Sequence, residues 1–164
     1  MQDLTKQIVA FLISIGIPVR EGSVVDDSFL PGLSIINGSL VYDGLSLQWP
    51  GDLLHEAGHI ATVPSSMRAL LNDSLDQSVS VPHAGEVEAT AWAYAATVHL
   101  GLAPSVLFHQ GGYHGKSPAL IATYSYGVYP GCYGLAQAGM TLLGVDATSA
   151  CVLPYPNMTQ WLRD

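Results

Sequence analysis

The sequence predicts a mainly helical α+β fold in which a small antiparallel sheet precedes a buried helix that carries two histidines. Residues 24–47 have the alternating apolar pattern and turn residues of β-strands, whereas apolar residues recur at helical spacing before and after them. A length of 164 residues with 49% apolar residues fits one domain spanning residues 1–164.

The first two elements follow directly from local patterns. Apolar residues at positions 4, 8, 11, 12 and 15 predict a helix over residues 4–15 that ends near Gly16. Asn37-Gly38 separates two β-like runs, residues 33–36 and 39–42, and this dipeptide is typical of a type I′ hairpin. A short antiparallel sheet is therefore expected before residue 48.

The next helix is indicated by Trp49-Pro50-Gly51-Asp52, in which we expect Asp52 to cap a helix that begins at Leu53. Glycine within a helix costs about 1 kcal/mol relative to alanine, so Gly58 predicts that another element approaches the backbone there. The apolar residues at helical spacing, which predict one buried side, are Leu53, Leu54, Ala57, Ile60 and Ala61.

The pattern of the sequence after residue 63 predicts helices joined by loops. Residues 64–85 are polar and predict a loop, and residues 86–100 predict a strong helix that Gly101 and Pro104 end. Further helices are expected near residues 105–109, 118–127 and 131–143. Residues 117–145 carry no charge, but Pro130-Gly131 and the many small residues favour two buried helices over a membrane span.

Composition narrows the classes of partner and the compartment. The formal net charge is −8 and there is no basic run, which disfavours nucleic acid and anionic membranes as partners. The apolar stretch of residues 8–19 has no A-x-A cleavage site, so we expect a soluble, cytoplasmic protein without membrane insertion. Cys132 and Cys151 are expected to be free buried thiols, with a bridge between them left open as the alternative.

The most informative motif is His55-Glu56-Ala57-Gly58-His59, which has the form H-E-x-x-H. On a helix, residues four apart lie on the same face, so both imidazoles can reach one zinc ion. Glu56 would lie beside the metal, where it can take a proton from a water molecule and pass it to a leaving amine. The motif therefore predicts a zinc site with Glu56 as the general base of a metallopeptidase.

A catalytic zinc usually has three protein ligands, so a third must come from elsewhere in the chain. We expect Glu88, because its face continues through Ala91, Trp92 and Ala95, the side of the helix predicted to be buried, and a buried carboxylate needs a partner. Glu86, in the exposed first turn, is a second candidate for this ligand. The remaining candidates are Asp73, Asp76 and His83.

The two motifs together resemble the ImmA/IrrE metallopeptidase family, whose second motif has the form E-A-N-x-F-A. Glu88, Ala89, Trp92 and Ala93 match that motif in kind, and Thr90 stands where the family has Asn. The resemblance covers about residues 33–104. It implies a zincin-like fold of the gluzincin type and a zinc-dependent peptidase, in a family whose members often cleave a repressor or regulator.

The sequence thus predicts a zinc metallopeptidase acting on a protein or peptide substrate. We expect the strand within residues 39–47 to be an edge strand of the sheet, with which an extended substrate would pair. A non-catalytic zinc-binding module of the same fold that acts in regulation or partner binding is the competing hypothesis, and Cys132 or Cys151 could then close the site as a fourth ligand. A second group often stabilises the oxyanion in such reactions. Its candidates are His109, His114, Tyr113, Tyr124 and Tyr126.

Overall fold

A computed structural model describes residues 2–24, 30–72 and 85–164. The structure has the predicted α+β class, with mostly helices and one small sheet in the described ranges. The strands are β1 (Val19–Glu21), β2 (Leu33–Ile36) and β3 (Ser39–Tyr42). The α-helices in these ranges are α1 (Gln2–Ser14), α2 (Gly51–Thr62), α3 (Glu86–His99), α4 (Pro104–Leu107), α5 (Ser117–Ser125), α6 (Cys132–Gln137) and α7 (Gly144–Ser149), and short 3-10 helices span Ser65–Leu70 and Tyr113–Gly115.

The described part of the sheet is mixed, not purely antiparallel as predicted. Its strand order is β1-β3-β2, with β3 antiparallel to β2 and parallel to β1. The predicted hairpin between β2 and β3 is confirmed: Ile36 pairs with Ser39, and Asn37 and Gly38 have φ values of 49° and 71°, as a type I′ turn requires. The prediction of residues 39–47 as an edge strand is wrong, because β3 is the central strand and β2 lies outside it.

Helices α2 and α3 pack against each other more closely than ordinary side chains would allow. A Cβ atom at Gly58 would overlap the backbone carbonyl of Ala89 in α3. Most of α3 is buried, and five of its buried residues, Ala89, Ala91, Ala93, Ala95 and Ala96, are alanines that let neighbouring helices approach. The close approach predicted from Gly58 is therefore confirmed, and α3 is the element that makes it.

The start of α2 differs from the prediction. The helix begins at Gly51, its N-cap residue is Pro50, and no side chain in the described part of the chain caps it. Asp52 lies within the first turn and its carboxylate contacts His109 instead. The cap prediction is wrong because a residue 57 positions away offers this carboxylate a partner that local sequence cannot reveal.

The C-terminal half contains shorter helices than predicted. Helices α4 and α5 fall within two residues of the expected bounds, but α6 ends at Gln137, near Gly139 with a φ of 74°, and α7 was not predicted. Cys132 and Cys151 are free thiols, as expected, but neither is buried as predicted: Cys132 is half-buried and Cys151 is exposed. No helix within the described ranges combines the length and apolarity that crossing a bilayer requires.

The C-terminal residues Trp161 and Arg163 form hydrogen bonds with both helices of the α2–α3 pair. Trp92 of α3 donates a hydrogen bond from Nε1 to the carbonyl of Trp161 at 2.8 Å, and the two indole rings meet edge to face. The backbone N–H of Arg163 donates to the carbonyl of Ala61 in α2 at 2.9 Å. Both helices are thus held by the same short segment, on top of their direct packing.

We predict that Gly58→Ala lowers the free energy of unfolding by about 1–3 kcal/mol, the range for an overpacked core position. Helix propensity alone would give the opposite sign, a gain of about 1 kcal/mol. Chemical denaturation followed by circular dichroism measures the change, with exposed Ser105→Ala in α4 as the control. A Gly58→Ala protein as stable as wild type would show that the two helices do not pack at this distance.

Candidate metal centre

The two motif histidines of α2 face each other one helical turn apart. The Nε2 atoms of His55 and His59 are 3.3 Å apart, and their rings are nearly perpendicular at 86°. Both side chains are partly buried. The Nδ1 atom of His55 is buried without a hydrogen-bond partner among the described residues, so Nε2 is the ring atom that it presents to a ligand.

Glu86, the first residue of α3, brings its carboxylate to both histidines. Its Oε2 atom is 3.3 Å from Nε2 of His55 and its Oε1 atom is 3.3 Å from Nε2 of His59. The two ring contacts, that of His55 first, hold the pKa of the Glu86 carboxyl well below its usual value. A carboxylate on α3 reaches the histidines of α2 because the two helices are in close contact.

The spacing of these atoms fits a tetrahedral zinc site. Ligand atoms about 2.05 Å from a zinc ion and at tetrahedral angles lie about 3.35 Å from one another. In the structure the two Nε2 atoms are 3.3 Å apart, and each of them lies 3.3 Å from a different oxygen of Glu86. Two imidazoles and one carboxylate are also a common zinc ligand set. The residues present therefore fit a metal ion.

Glu56 belongs to the same centre. His55, Glu56 and His59 each offer a ligand atom within 4.8 Å of the other two, so this group could hold a metal ion. Two carboxylates thus lie near the histidine pair. A Glu86 oxygen lies 3.3 Å from Nε2 of each histidine, so Glu86 is placed to act as a third ligand, and Glu56 would then be the carboxylate beside the ligand set.

The structure does not bring Glu88 to this centre. The Glu88 carboxylate lies against Gly134 of α6 and lines a separate cavity of about 210 Å³ together with Arg163 and Gln137. Residues two apart on a helix point in nearly opposite directions, so Glu86 and Glu88 cannot both face α2. The choice of Glu88 over Glu86 therefore disagrees with the geometry. Asp73, Asp76 and His83 lie outside the described residues.

The five candidates for a second catalytic group fall in different environments. Tyr113 and His114 line the cavity at the metal centre, and the ring of Tyr113 meets that of His55 edge to face at 5.8 Å. Burial first, and then the charge of Asp52, raise the pKa of the Tyr113 hydroxyl. Tyr124 is buried and donates to the carbonyl of Pro130, whereas Tyr126 is 86% exposed. His109 is not among the described residues that line the cavity.

His109 anchors the loop that carries Tyr113. Its Nε2 atom donates to the Asp52 carboxylate at 2.7 Å, and its ring stacks on Trp49 with centroids 4.6 Å apart. The carbonyl of His109 accepts a hydrogen bond from Ser117 at 2.6 Å. Gly111 and Gly112 pack so tightly against Trp49 and His109 that a side chain would crowd the rings. The loop is therefore fixed to the first turn of α2, one turn before His55.

The left-handed backbone at Tyr113 and His114 also indicates that this loop is held in place by its surroundings. Tyr113 and His114 have φ values of 56° and 51°, a conformation that ordinary residues adopt only when their surroundings hold them in it. The Asp52–His109 contact and the ring stack supply that support. No sequence motif predicts that His109 anchors this loop to α2. The Gly111-Gly112 pair before Tyr113 was the only local indication of an unusual backbone there.

An open cavity of about 620 Å³ is lined by the residues of the candidate metal centre. It is lined by residues of α2, α3, β2 and the loop after His109. Its lining residues are Leu30, Leu33, Ile35, Asp52, His55, Glu56, His59, Leu71, Asn72, Glu86, Gly112, Tyr113 and His114. The carboxylates and imidazoles of the centre are thus accessible to a ligand the size of a short peptide segment.

Cysteine does not take part in the group that the structure assembles. Among the described residues, the cluster of His55, Glu56 and His59, with the Glu86 carboxylate in contact with both histidines, contains neither Cys132 nor Cys151. The hypothesis that a cysteine closes the site as a fourth protein ligand finds no support in this geometry.

Comparison of the chain with models of known families, with curated proteins and with solved structures finds no match. The resemblance to the ImmA/IrrE family therefore rests on the motif residues alone, and with Glu86 in the ligand position the second motif is shifted by two residues.

We predict that purified protein reconstituted with zinc binds about one ion per chain, and that His59→Ala and Glu86→Ala weaken binding by more than the 10–100-fold typical of losing an outer-shell partner. Glu88→Ala is the matched control two residues away and should keep the affinity of wild type. Competition titration with a chromogenic chelator measures all four proteins. Wild-type affinity in Glu86→Ala with weakened binding in Glu88→Ala would reverse the assignment made from the distances.

Proposed function

We propose that the chain is a zinc-dependent metallopeptidase in which His55, His59 and Glu86 hold the metal ion and Glu56 is the general base. The observation that carries the proposal is the set of equal 3.3 Å separations among the three ligand groups, with a further carboxylate beside them. A structural zinc site usually closes with a fourth protein ligand and has no use for an adjacent base.

A zinc ion bound by these residues supplies a Lewis acid that polarises a carbonyl group and makes water more acidic. Glu56 accepts a proton as the water oxygen forms its bond to the carbonyl carbon. The same carboxyl then gives that proton to the amide nitrogen as the carbon–nitrogen bond breaks, so the carboxylate is restored at the end of the cycle. This sequence needs no other acid or base.

Tyr113 is the described residue best placed to donate a hydrogen bond to the carbonyl oxygen as it gains charge. Its ring lies beside His55 and lines the cavity, and the Asp52–His109 contact fixes its loop. A tyrosine hydroxyl is protonated near neutral pH and can therefore donate such a hydrogen bond.

The proposed substrate is a protein or peptide segment. The outer strand β2 contributes Leu33 and Ile35 to the cavity, so the backbone of a bound segment would run beside a strand. We place the protein in the cytoplasm as part of the proposal, because two free cysteines, one of them exposed, are more typical of reducing compartments.

We predict that zinc-loaded wild type cleaves peptides and that Glu56→Gln does so at least about 100-fold more slowly while keeping its zinc, because general acid–base catalysis contributes about 10²–10⁴-fold. A digest of unrelated proteins, analysed by mass spectrometry for new termini, supplies the substrates without assuming a sequence.

The control for this experiment is Glu21→Gln, which removes the charge of an exposed glutamate in β1, remote in sequence from the motif. It should cleave at the wild-type rate. Equal rates in wild type and Glu56→Gln, or no cleavage by a wild type with one zinc per chain, would contradict the proposal.

A further inference from the structure

One side of the cavity at the candidate metal centre is lined by aliphatic side chains. Leu33 and Ile35 project from β2, and Leu71 follows the 3-10 helix Ser65–Leu70; all three are at most 7% exposed and belong to the hydrophobic core. Leu30 completes this group, which we call the aliphatic wall. A ligand held at the metal centre therefore meets a surface continuous with the protein interior.

The charges around the cavity have one sign. Asp52, Glu56 and Glu86 are the carboxylates that line it, and among the described lining residues there is no lysine or arginine. An acidic group on a ligand that lies away from the metal ion would meet no lysine or arginine in this part of the chain and would lie near these carboxylates. Charge and wall thus favour the same kind of ligand side chain, one that is apolar and uncharged.

The cavity is large enough for such a side chain together with its backbone. Its volume of about 620 Å³ exceeds that of a single residue several times over. Tyr113 adds an aromatic ring to the same space, close to His55. A branched aliphatic group next to the scissile carbonyl can therefore pack against apolar surface while the carbonyl remains at the metal centre.

We propose that the site selects peptides with a bulky aliphatic side chain next to the cleaved bond, and that Ile35 and Leu71 of the aliphatic wall determine this specificity. The inference rests on the proposed peptidase function, since it names the substrate class of the same site. Each methylene buried in such a wall strengthens binding by up to about fourfold.

Hydroxamates test this inference without requiring hydrolysis, because the hydroxamate group binds zinc directly. Calorimetry on zinc-loaded wild type would compare acetohydroxamate, the hydroxamate of 4-methylpentanoic acid and the monohydroxamate of succinic acid. We expect the branched compound to bind at least about tenfold more tightly than acetohydroxamate, and the acidic compound to bind no more tightly than acetohydroxamate.

Two neighbouring leucines supply matched variants. Leu71→Ala should reduce the preference for the branched compound to less than about threefold, whereas Leu70→Ala, at an exposed residue outside the cavity, should keep it. If circular dichroism shows that Leu71→Ala does not fold, Ile35→Val takes its place and should reduce the preference by a smaller amount.

The outcomes separate this inference from the proposed function. Affinities of the branched and methyl hydroxamates within about twofold of each other, tighter binding of the acidic compound, or no binding of any hydroxamate would overturn it. A branched-chain preference in a protein that cleaves no peptide would support the specificity and contradict the peptidase. Cleavage of peptides without a preference for aliphatic residues would support the peptidase function and contradict the specificity.

Discussion

The close contact between α2 and α3 is the constraint on which the rest of the site depends. Gly58 lies against the backbone of Ala89, and the C-terminal segment holds both helices from behind through Trp161 and Arg163. This contact determines how far the first turn of α3 reaches across α2. The Glu86 carboxylate meets both histidines only because the helix axes approach so closely, and a wider separation would leave the histidine pair without its third partner.

A second constraint acts from the start of α2. Asp52 holds His109, and His109 with its stacked Trp49 holds the loop that presents Tyr113 beside His55. The carboxylate is partly buried and the imidazole almost fully so, which makes the contact stronger than an exposed ion pair. One helix thus supplies the two imidazoles of the candidate metal centre, the adjacent Glu56 and the anchor for the loop on the other side of the cavity.

Local sequence signals predicted the parts of this arrangement that depend on near neighbours. Asn37-Gly38 requires positive φ at two consecutive residues, which identifies the hairpin, and Gly58 within an apolar helix indicates a close neighbour. The spacing of His55 and His59 places both rings on one face. These features follow from chain geometry over four residues or fewer, so no knowledge of the tertiary structure was needed.

The predictions that disagree with the geometry depend on contacts between distant residues. Glu88 was favoured over Glu86 by assuming that α3 has one buried side, but α3 is buried on most of its surface, so burial could not discriminate between two glutamates two residues apart. Asp52 was predicted to cap α2 from the residues next to it in the sequence. Its actual partner, His109, lies far along the chain, where a local pattern cannot reveal it. The parallel pairing of β1 with β3 is likewise a crossover that periodicity does not reveal.

The central claim is that His55, His59 and Glu86 form one metal site. Diffraction from zinc-loaded crystals at wavelengths on either side of the zinc absorption edge locates the ion directly. The structure predicts a single anomalous peak about 2.0–2.2 Å from Nε2 of both histidines and from a Glu86 oxygen. A peak coordinated by Glu88, or bound zinc remote from the two histidines, would contradict this claim.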